Sequence, residues 1–205
     1  RKAKPQFEGH HQPRVPMWGY TSESNPKDME RMIDAAVEHY VNVFIFDWYW
    51  YDNLPFLEEA LNKWFFQAKN RDKMRFFLMW ANHDATTLWD LENSHENKVI
   101  WPGTVNLAQF ETIVERVISR YFSQPGYYKI DGCPVFSIFQ PRNLIKGLGG
   151  KFCRKRKTKS ALDLFRKKVK DAGFPDLHVQ AILNGVSPRM ARKLGFDSIT
   201  SYQWA

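Results

Sequence analysis

The sequence predicts an α/β protein, and more specifically a partial (β/α)8 TIM-type barrel of about five βα units. Segments with helical periodicity alternate with short apolar runs, which is typical of a parallel sheet with right-handed crossovers. No Gly-x-Gly-x-x-Gly follows the first predicted strand, which weakens the main alternative, an open doubly wound sheet that binds a dinucleotide. We interpret residues 1–205 as one domain. Because a complete barrel usually needs about 250 residues, we expect this domain to be truncated at both ends.

The first βα units are predicted from caps and periodicity. Residues 1–24 are irregular, and a helix then begins at Asn25, an N-cap, followed by Pro26 in the first turn. Its apolar face consists of Met29, Met32, Ile33, Ala36, Val37 and Tyr40. The apolar and aromatic run 41–48 predicts a strand that is buried on both faces. A helix over 55–68 and a strand over 74–80 repeat the unit.

The second half of the chain continues the same alternation. Asn106 caps a predicted helix that extends to residue 121, and Ser187 caps another that ends at Gly195. The remaining predicted elements are a strand over 135–139, a glycine-rich charged loop over 147–159, a helix over 160–172, and strands over 177–183 and 198–204.

The positive charge of the chain is concentrated in one stretch. The formal net charge is +8, and residues 151–170 contain ten Lys or Arg and one acid, a local balance of +9. The rest of the chain therefore carries 8 − 9 = −1, so we expect no nucleic-acid partner. The stretch could bind a phosphate or an acidic sugar, or it could be a solvated loop.

Several classes of partner are not expected. No run approaches the roughly 18 uninterrupted apolar residues of a membrane span. No second His or Cys has metal-ligand spacing to His83, so we expect neither a metal nor another cofactor. The compartment stays open between cytoplasmic and periplasmic or secreted, and the oligomeric state is undetermined.

Candidate site residues follow the predicted strands, because ligands of α/β proteins bind at the carboxyl ends of the strands. Aromatic rings can stack on sugar rings, and carboxylates can accept hydrogen bonds from hydroxyl groups. We predict that Asp47 and Asp84 support catalysis by orienting hydroxyls or stabilising charge. The predicted substrate-binding residues are Trp48, Tyr49, Trp50, Trp80, Asn82, His83, Tyr202, Gln203 and Trp204. The alternative interpretation is that Trp48 and Trp50 pack against helices and that the His83-Asp84 pair caps the next helix.

Six segments of the chain together resemble the glycoside hydrolase family 99-like (WbsX-type) domain. These segments are 10–13 (HHQP), 43–51 (VFIFDWYWY), 79–84 (MWANHD), 99–103 (VIWPG), 127–132 (YYKIDG) and 145–150 (IKGLGG). The resemblance implies a (β/α)8 barrel that acts on glycans, in polysaccharide breakdown or in assembly of bacterial cell-surface polysaccharide. Its hydrolase relatives cleave α-mannosidic linkages with retention, using two glutamates and no metal. The resemblance places such a pair in a late Glu-Trp-x-x-type segment, which does not occur before Ala205.

The sequence is compatible with three functions. The first is a glycoside hydrolase that acts on mannose-containing or related oligosaccharide or polysaccharide. The second is a glycosyltransferase-like protein of lipopolysaccharide or capsule biosynthesis, whose basic glycine-rich loop would hold a phosphorylated donor. The third is a non-catalytic glycan-binding barrel. A nucleic-acid-binding protein would differ from all three by a steep loss of affinity with salt.

Overall fold

The computed structural model describes residues 4–22, 25–89, 92–149 and 154–202. Its α-helices are α1 (Pro26–Glu38), α2 (Leu107–Val117), α3 (Pro141–Gly149), α4 (Arg154–Asp171) and α5 (Pro188–Leu194). Its strands are β1 (Val43–Tyr51), β2 (Leu54–Phe56), β3 (Arg75–Trp80), β4 (Ala85–Thr86), β5 (Val99–Trp101), β6 (Lys129–Ile130), β7 (Cys133–Ile138), β8 (His178–Ile182) and β9 (Ser198–Thr200). Two π-helical turns, Ala60–Phe65 and Ile118–Phe122, and short 3-10 turns complete the elements.

The main sheet contains five parallel strands in chain order, β1-β3-β7-β8-β9. Strand β2 adds antiparallel to the carboxyl end of β1, and β6 pairs with the start of β7. Strands β4 and β5 form a separate antiparallel pair. Among the described strands the order never reverses, so the reversal point that defines a doubly wound sheet is absent from this part of the chain.

The helices pack on one face of this sheet, which we call the helix face. Side chains alternate between the two faces of a strand, and the helix face receives the even-numbered residues of β1 and β3. There Phe46 and Phe76 contact Phe65 of the first π-helical turn, with ring centroids 5.2 Å apart in each case. Trp80 contacts Phe110 of α2 at 6.2 Å. We call the opposite face, which receives the odd-numbered residues, the inner face.

The predicted helix caps are confirmed. The Asn25 side chain accepts from the backbone N–H of Lys27, and Asn106 forms a capping box with Gln109. Ser187 caps α5, which ends at Gly195 in the left-handed conformation. Each cap satisfies backbone groups that a helix end leaves without an intrahelical partner. No helix in the described part of the chain is both long enough and apolar enough to cross a bilayer.

Two predicted elements differ from the structure. The first part of the predicted helix over 55–68 is wrong, because it forms β2; only Ala60–Phe65 is helical, as a π-helical turn. Pro55 pairs opposite Trp50 on an edge strand, where the missing N–H of proline is tolerated as well as it is in a first helical turn. The predicted loop over 147–159 is also largely helical, because α3 ends at Gly149 and α4 already begins at Arg154.

The start of α4 has a local cause. Arg and Lys have high helix propensity. The Thr158 hydroxyl donates to the carbonyl oxygen of Arg154 at 2.8 Å, which gives this hydroxyl a partner within the helix. Thr158 is itself buried against the other helices. The strand predicted over 198–204 is observed only over Ser198–Thr200, as β9. Residues 201–202 are not part of a strand, and Gln203, Trp204 and Ala205 lie outside the described residues.

Candidate functional site

A row of side chains that is polar at every position except Met79 crosses the inner face of the parallel sheet. The strand register aligns Asp47, Met79, Ser137, Gln180 and Ser198 on five neighbouring strands. The Ser137 hydroxyl donates to Gln180 Oε1 at 3.3 Å. Asp47 is exposed at the β1 end of this row, so its carboxylate is open to a ligand on the inner face.

Six rings form a continuous line at the carboxyl ends of the strands, and we call this line the aromatic rim. Its members, in order of contact, are Tyr202, Phe139, His83, Tyr49, Tyr51 and Trp101. Successive ring centroids lie 5.2, 5.8, 5.8, 6.1 and 5.9 Å apart. The two ends of the line are the more open parts, because Tyr202 is 58% exposed and Trp101 is 39% exposed. Tyr51 is only 4% exposed, so the rim offers open aromatic surface on either side of this ring instead of in a single closed pocket.

The predicted residues Tyr49, His83 and Tyr202 all lie in this rim, close to Asp47. Partial burial raises the pKa of Asp47 above its ordinary value, and the nearby charge of His83 opposes the shift. Burial also raises the pKa of Tyr49, and the charge of Asp47 adds to that effect. The charge of Asp47 thus acts directly on Tyr49, and the raised pKa of Tyr49 keeps its hydroxyl protonated.

Asn82 and Asp84 brace the backbone behind the rim. The Asn82 side chain donates to the backbone carbonyl of Gln140 at 3.0 Å and accepts from the Gln140 N–H at 2.7 Å. The backbone carbonyl of Asn82 accepts from the Asn143 side chain. Asp84 Oδ1 accepts from the Gly103 N–H at 2.7 Å. Asn82 is only 1% exposed, so its predicted contact with substrate is corrected to a structural role.

Gly103 is required where this brace meets the loop that follows β5. A Cβ at this position would lie 2.4 Å from the carbonyl oxygens of both Asn82 and His83. The close approach lets Asp84 reach the Gly103 N–H and brings Trp101 alongside Tyr51. The Tyr51 hydroxyl also donates to the His83 carbonyl at 2.9 Å, which ties the rim to the same backbone.

The three tryptophans that were expected to stack on sugars lie on the helix face instead. Trp48, Trp50 and Trp80 are 2%, 5% and 0% exposed, and Trp48 packs on Trp50 with centroids 5.8 Å apart. Their rings have no free face for a ligand, so the expectation is corrected in favour of the packing alternative. Large apolar rings of this kind stabilise the sheet against its helices.

Three rim members were not among the predicted residues. Tyr51 and Phe139 follow Tyr49 and Ser137 by two positions, so strand alternation was the signal that could have identified them. Trp101 comes from β5, and only the tertiary structure brings it to Tyr51.

Gln203 and Trp204, which were predicted to bind substrate, lie outside the described residues. Within the described residues, no group of three or more His, Cys, Asp and Glu side chains is placed to hold a metal ion.

The family model described as "Glycosyltransferase WbsX" matches residues 1–204 of this chain. The chain is 25% identical over 199 residues to WxcX, an uncharacterized protein of Xanthomonas campestris pv. campestris, in each of the strains B100 and ATCC 33913. The alignment covers 97% of this chain and 26% of WxcX. The chain thus spans about a quarter of the length of these relatives.

Two solved structures share the fold. A glycoside hydrolase-like protein superposes with a TM-score of 0.56 at 15% identity, covering 91% of this chain and 53% of its own. The GH99 endo-alpha-mannosidase from Bacteroides thetaiotaomicron gives a TM-score of 0.51 at 12% identity, covering 97% of this chain and 54% of its own. At these identities the similarity concerns the fold alone.

Proposed function

This chain belongs to the WbsX family, and on that premise we propose that it is a carbohydrate-active domain whose aromatic rim binds a glycan. The single observation that carries this proposal is the continuous line of six rings beside an exposed carboxylate. Aromatic faces suit the C–H surfaces of sugar rings, and an extended line suits a chain of sugars better than a single one.

Asp47 is the carboxylate that we assign to the substrate. It projects onto the inner face beside Tyr49, and a carboxylate there can accept two hydrogen bonds from neighbouring sugar hydroxyls. Asp84 is less suited to this role, because one of its oxygens is committed to the Gly103 N–H. His83 lies between Tyr49 and Phe139 in the rim, where its ring can contact a sugar beside Asp47.

We assign hydrolysis of a mannose-containing or related polysaccharide as the reaction of the whole protein. The fold shared with a GH99 endo-alpha-mannosidase supports this assignment. Retaining hydrolysis uses two carboxyl groups about 5 Å apart. Asp47 would then orient the substrate, while an acid and a nucleophile from elsewhere in the protein complete the site.

We further propose that the sheet is part of a (β/α)8 barrel. Parallel strands in unbroken chain order, with their helices on one face, are the arrangement that a barrel requires. The edge of β1 supports the idea, because over residues 43–48 β3 is the only partner of this strand in the described part of the chain. A groove of about 830 Å³ runs along that edge and is lined by Met29, Phe44 and Phe46 among others, which suits an additional apolar strand.

Binding of α-linked manno-oligosaccharides tests the glycan proposal. Calorimetric titration of the protein in its full natural reading frame should give saturable binding that Trp101→Ala weakens about tenfold, since a stacked ring contributes roughly 1 kcal/mol or more. Tyr40→Ala is the matched control, because Tyr40 is 95% exposed at the opposite end of β1. Equal affinities for the two variants, or no binding of any manno-oligosaccharide, would exclude the rim as a glycan site.

The products separate hydrolysis from transfer. A hydrolase shortens the oligosaccharide with water alone, whereas a glycosyltransferase leaves it unchanged until an activated sugar donor is supplied. Chromatography of the products after incubation with and without nucleotide-sugars therefore decides between these two functions. Binding without either product would identify a non-catalytic glycan-binding protein.

A further inference from the structure

The cations of α4 fall into two groups with different surroundings. In the second half of the helix each cation meets a carboxylate. Arg166 pairs with Asp176 and Asp197, Lys167 with Asp171, Lys168 with Glu111 and Glu115, and Lys170 with Asp176. These pairs are what a solvated amphipathic helix normally forms, so this half needs no further explanation.

The first half of the same helix is different. Lys155, Arg156 and Lys157 are exposed and form no ion pair with any residue that the structure describes. Lys159, one turn further on, already pairs with Asp163 at 2.9 Å. These three cations therefore have no described carboxylate to neutralise them, and they remain available to an anionic ligand.

Two of these cations line a groove of about 570 Å³ between α4, the start of α2 and the end of α3. Arg156 and Lys157 provide its charge, and Ser160 provides one hydroxyl. Leu107, Leu148 and Leu164 provide apolar walls. The groove therefore combines a cationic side with an apolar side, and its three leucines offer no hydrogen-bonding group to a sugar hydroxyl.

We propose that this groove binds the phosphate of an anionic phospholipid. Arg156 and Lys157 would contact the phosphate oxygens, which guanidinium and ammonium groups bind well. The first methylenes of the lipid chains would lie against Leu148 and Leu164. A sugar phosphate fits less well, because its hydroxyls would face leucine side chains. The groove lies in the helix layer, on the other side of the sheet from the aromatic rim, so the inference does not rest on the proposed function.

Titration with dihexanoyl phosphatidic acid, a soluble short-chain phospholipid, tests this proposal on the protein in its full natural reading frame. We expect saturable binding about tenfold tighter than that of inorganic phosphate, because the methylenes bury apolar surface. R156Q/K157Q should weaken this binding about tenfold or more, since two charged hydrogen bonds are lost. Thermal melting of each variant reports whether it is folded, and all the substituted side chains are exposed.

The double variant K167Q/K170Q is the matched control. It removes the same charge from the same helix, but at lysines that already pair with Asp171 and Asp176. We expect less than about a twofold change in lipid affinity, because only long-range charge is altered. Equal weakening by the two double variants would overturn the proposal in favour of a net-charge effect. Binding no tighter than that of inorganic phosphate, or tighter binding of mannose 1-phosphate, would also overturn it.

Discussion

Replacing Glu58 with glutamine should destabilise the protein, because Glu58 joins β1 to α2 through a largely buried ion pair. Its Oε1 accepts from Trp48 Nε1 at 2.7 Å and from Arg116 Nε at 2.9 Å, and its Oε2 accepts from Arg116 Nη2 at 2.5 Å. The side chains of Glu58 and Arg116 are only 9% and 24% exposed. Glutamine keeps an oxygen for Trp48 but leaves the guanidinium without a counter-charge.

The magnitude follows from the burial of the pair. Removing one partner of a buried ion pair costs about 3–5 kcal/mol. Because Arg116 retains contact with water through its exposed quarter, we expect about 2–3 kcal/mol for Glu58→Gln. For a chain of 205 residues, this corresponds to a melting temperature lower by about 4–12 °C.

Urea unfolding followed by tryptophan fluorescence at neutral pH measures this loss. Lys159→Gln is the control, because the Lys159–Asp163 pair is half exposed and should contribute little. The double variant Glu58→Gln/Arg116→Met removes the stranded charge and should be more stable than Glu58→Gln alone. The reasoning is refuted if Glu58→Gln loses no more stability than Lys159→Gln, or if the double variant is the less stable of the two.

The pH dependence of the same variant gives a second check. Burial alone would raise the pKa of Glu58, but hydrogen bonds from Arg116 and Trp48 outweigh it and hold the pKa below its ordinary value. A carboxyl with a lowered pKa stabilises the fold above its unfolded pKa of about 4.3, and this contribution disappears as the pH falls through the folded value. The stability gap between the wild-type chain and Glu58→Gln should therefore narrow below about pH 4.

Three further predictions separate stability from binding. Gly103→Ala should cost about 1–3 kcal/mol in urea unfolding, because its methyl group would overlap two carbonyl oxygens. Trp80→Ala should cost about 3–5 kcal/mol of stability, whereas Trp101→Ala, at a 39% exposed ring, should melt near the wild-type temperature and lose mainly glycan affinity. Asp47→Asn should weaken manno-oligosaccharide binding by about tenfold or more in calorimetry. It should leave the melting temperature equal or higher, since it removes a carboxylate whose pKa is raised by burial.

The parallel strands and capped helices were predictable because their signals are local. Asn25, Asn106 and Ser187 each precede a helical pattern, and a cap acts within the first turn that follows it. The Pro55 region was not predictable in this way, since proline is compatible with a first helical turn and with an edge strand alike. Only the pairing of Pro55 with Trp50 decides between the two.

The composition of the site could be predicted only in part. Apart from Asp47, residues 43–51 are apolar or aromatic on both faces, so the hydrophobic pattern alone does not reveal which face the helices cover. Trp101 could not be predicted as a site residue for another reason. It lies fifty residues from Tyr51 in the sequence, and it reaches that ring through the β4–β5 pair and the close approach at Gly103.

The alternation within β1 nevertheless contains enough information to separate core from site. An unpaired carboxylate is costly between a sheet and its helices, so Asp47 must lie on the other face. Side chains two apart share a face, which places Tyr49 and Tyr51 with Asp47, and Trp48 and Trp50 with the core. The position of one charged residue, Asp47, thus determines which side chains of β1 lie on each face of the sheet. By the same logic, substitutions of Asp47 and Tyr49 should affect glycan binding, whereas substitutions at the even positions of this strand should affect the stability of the fold.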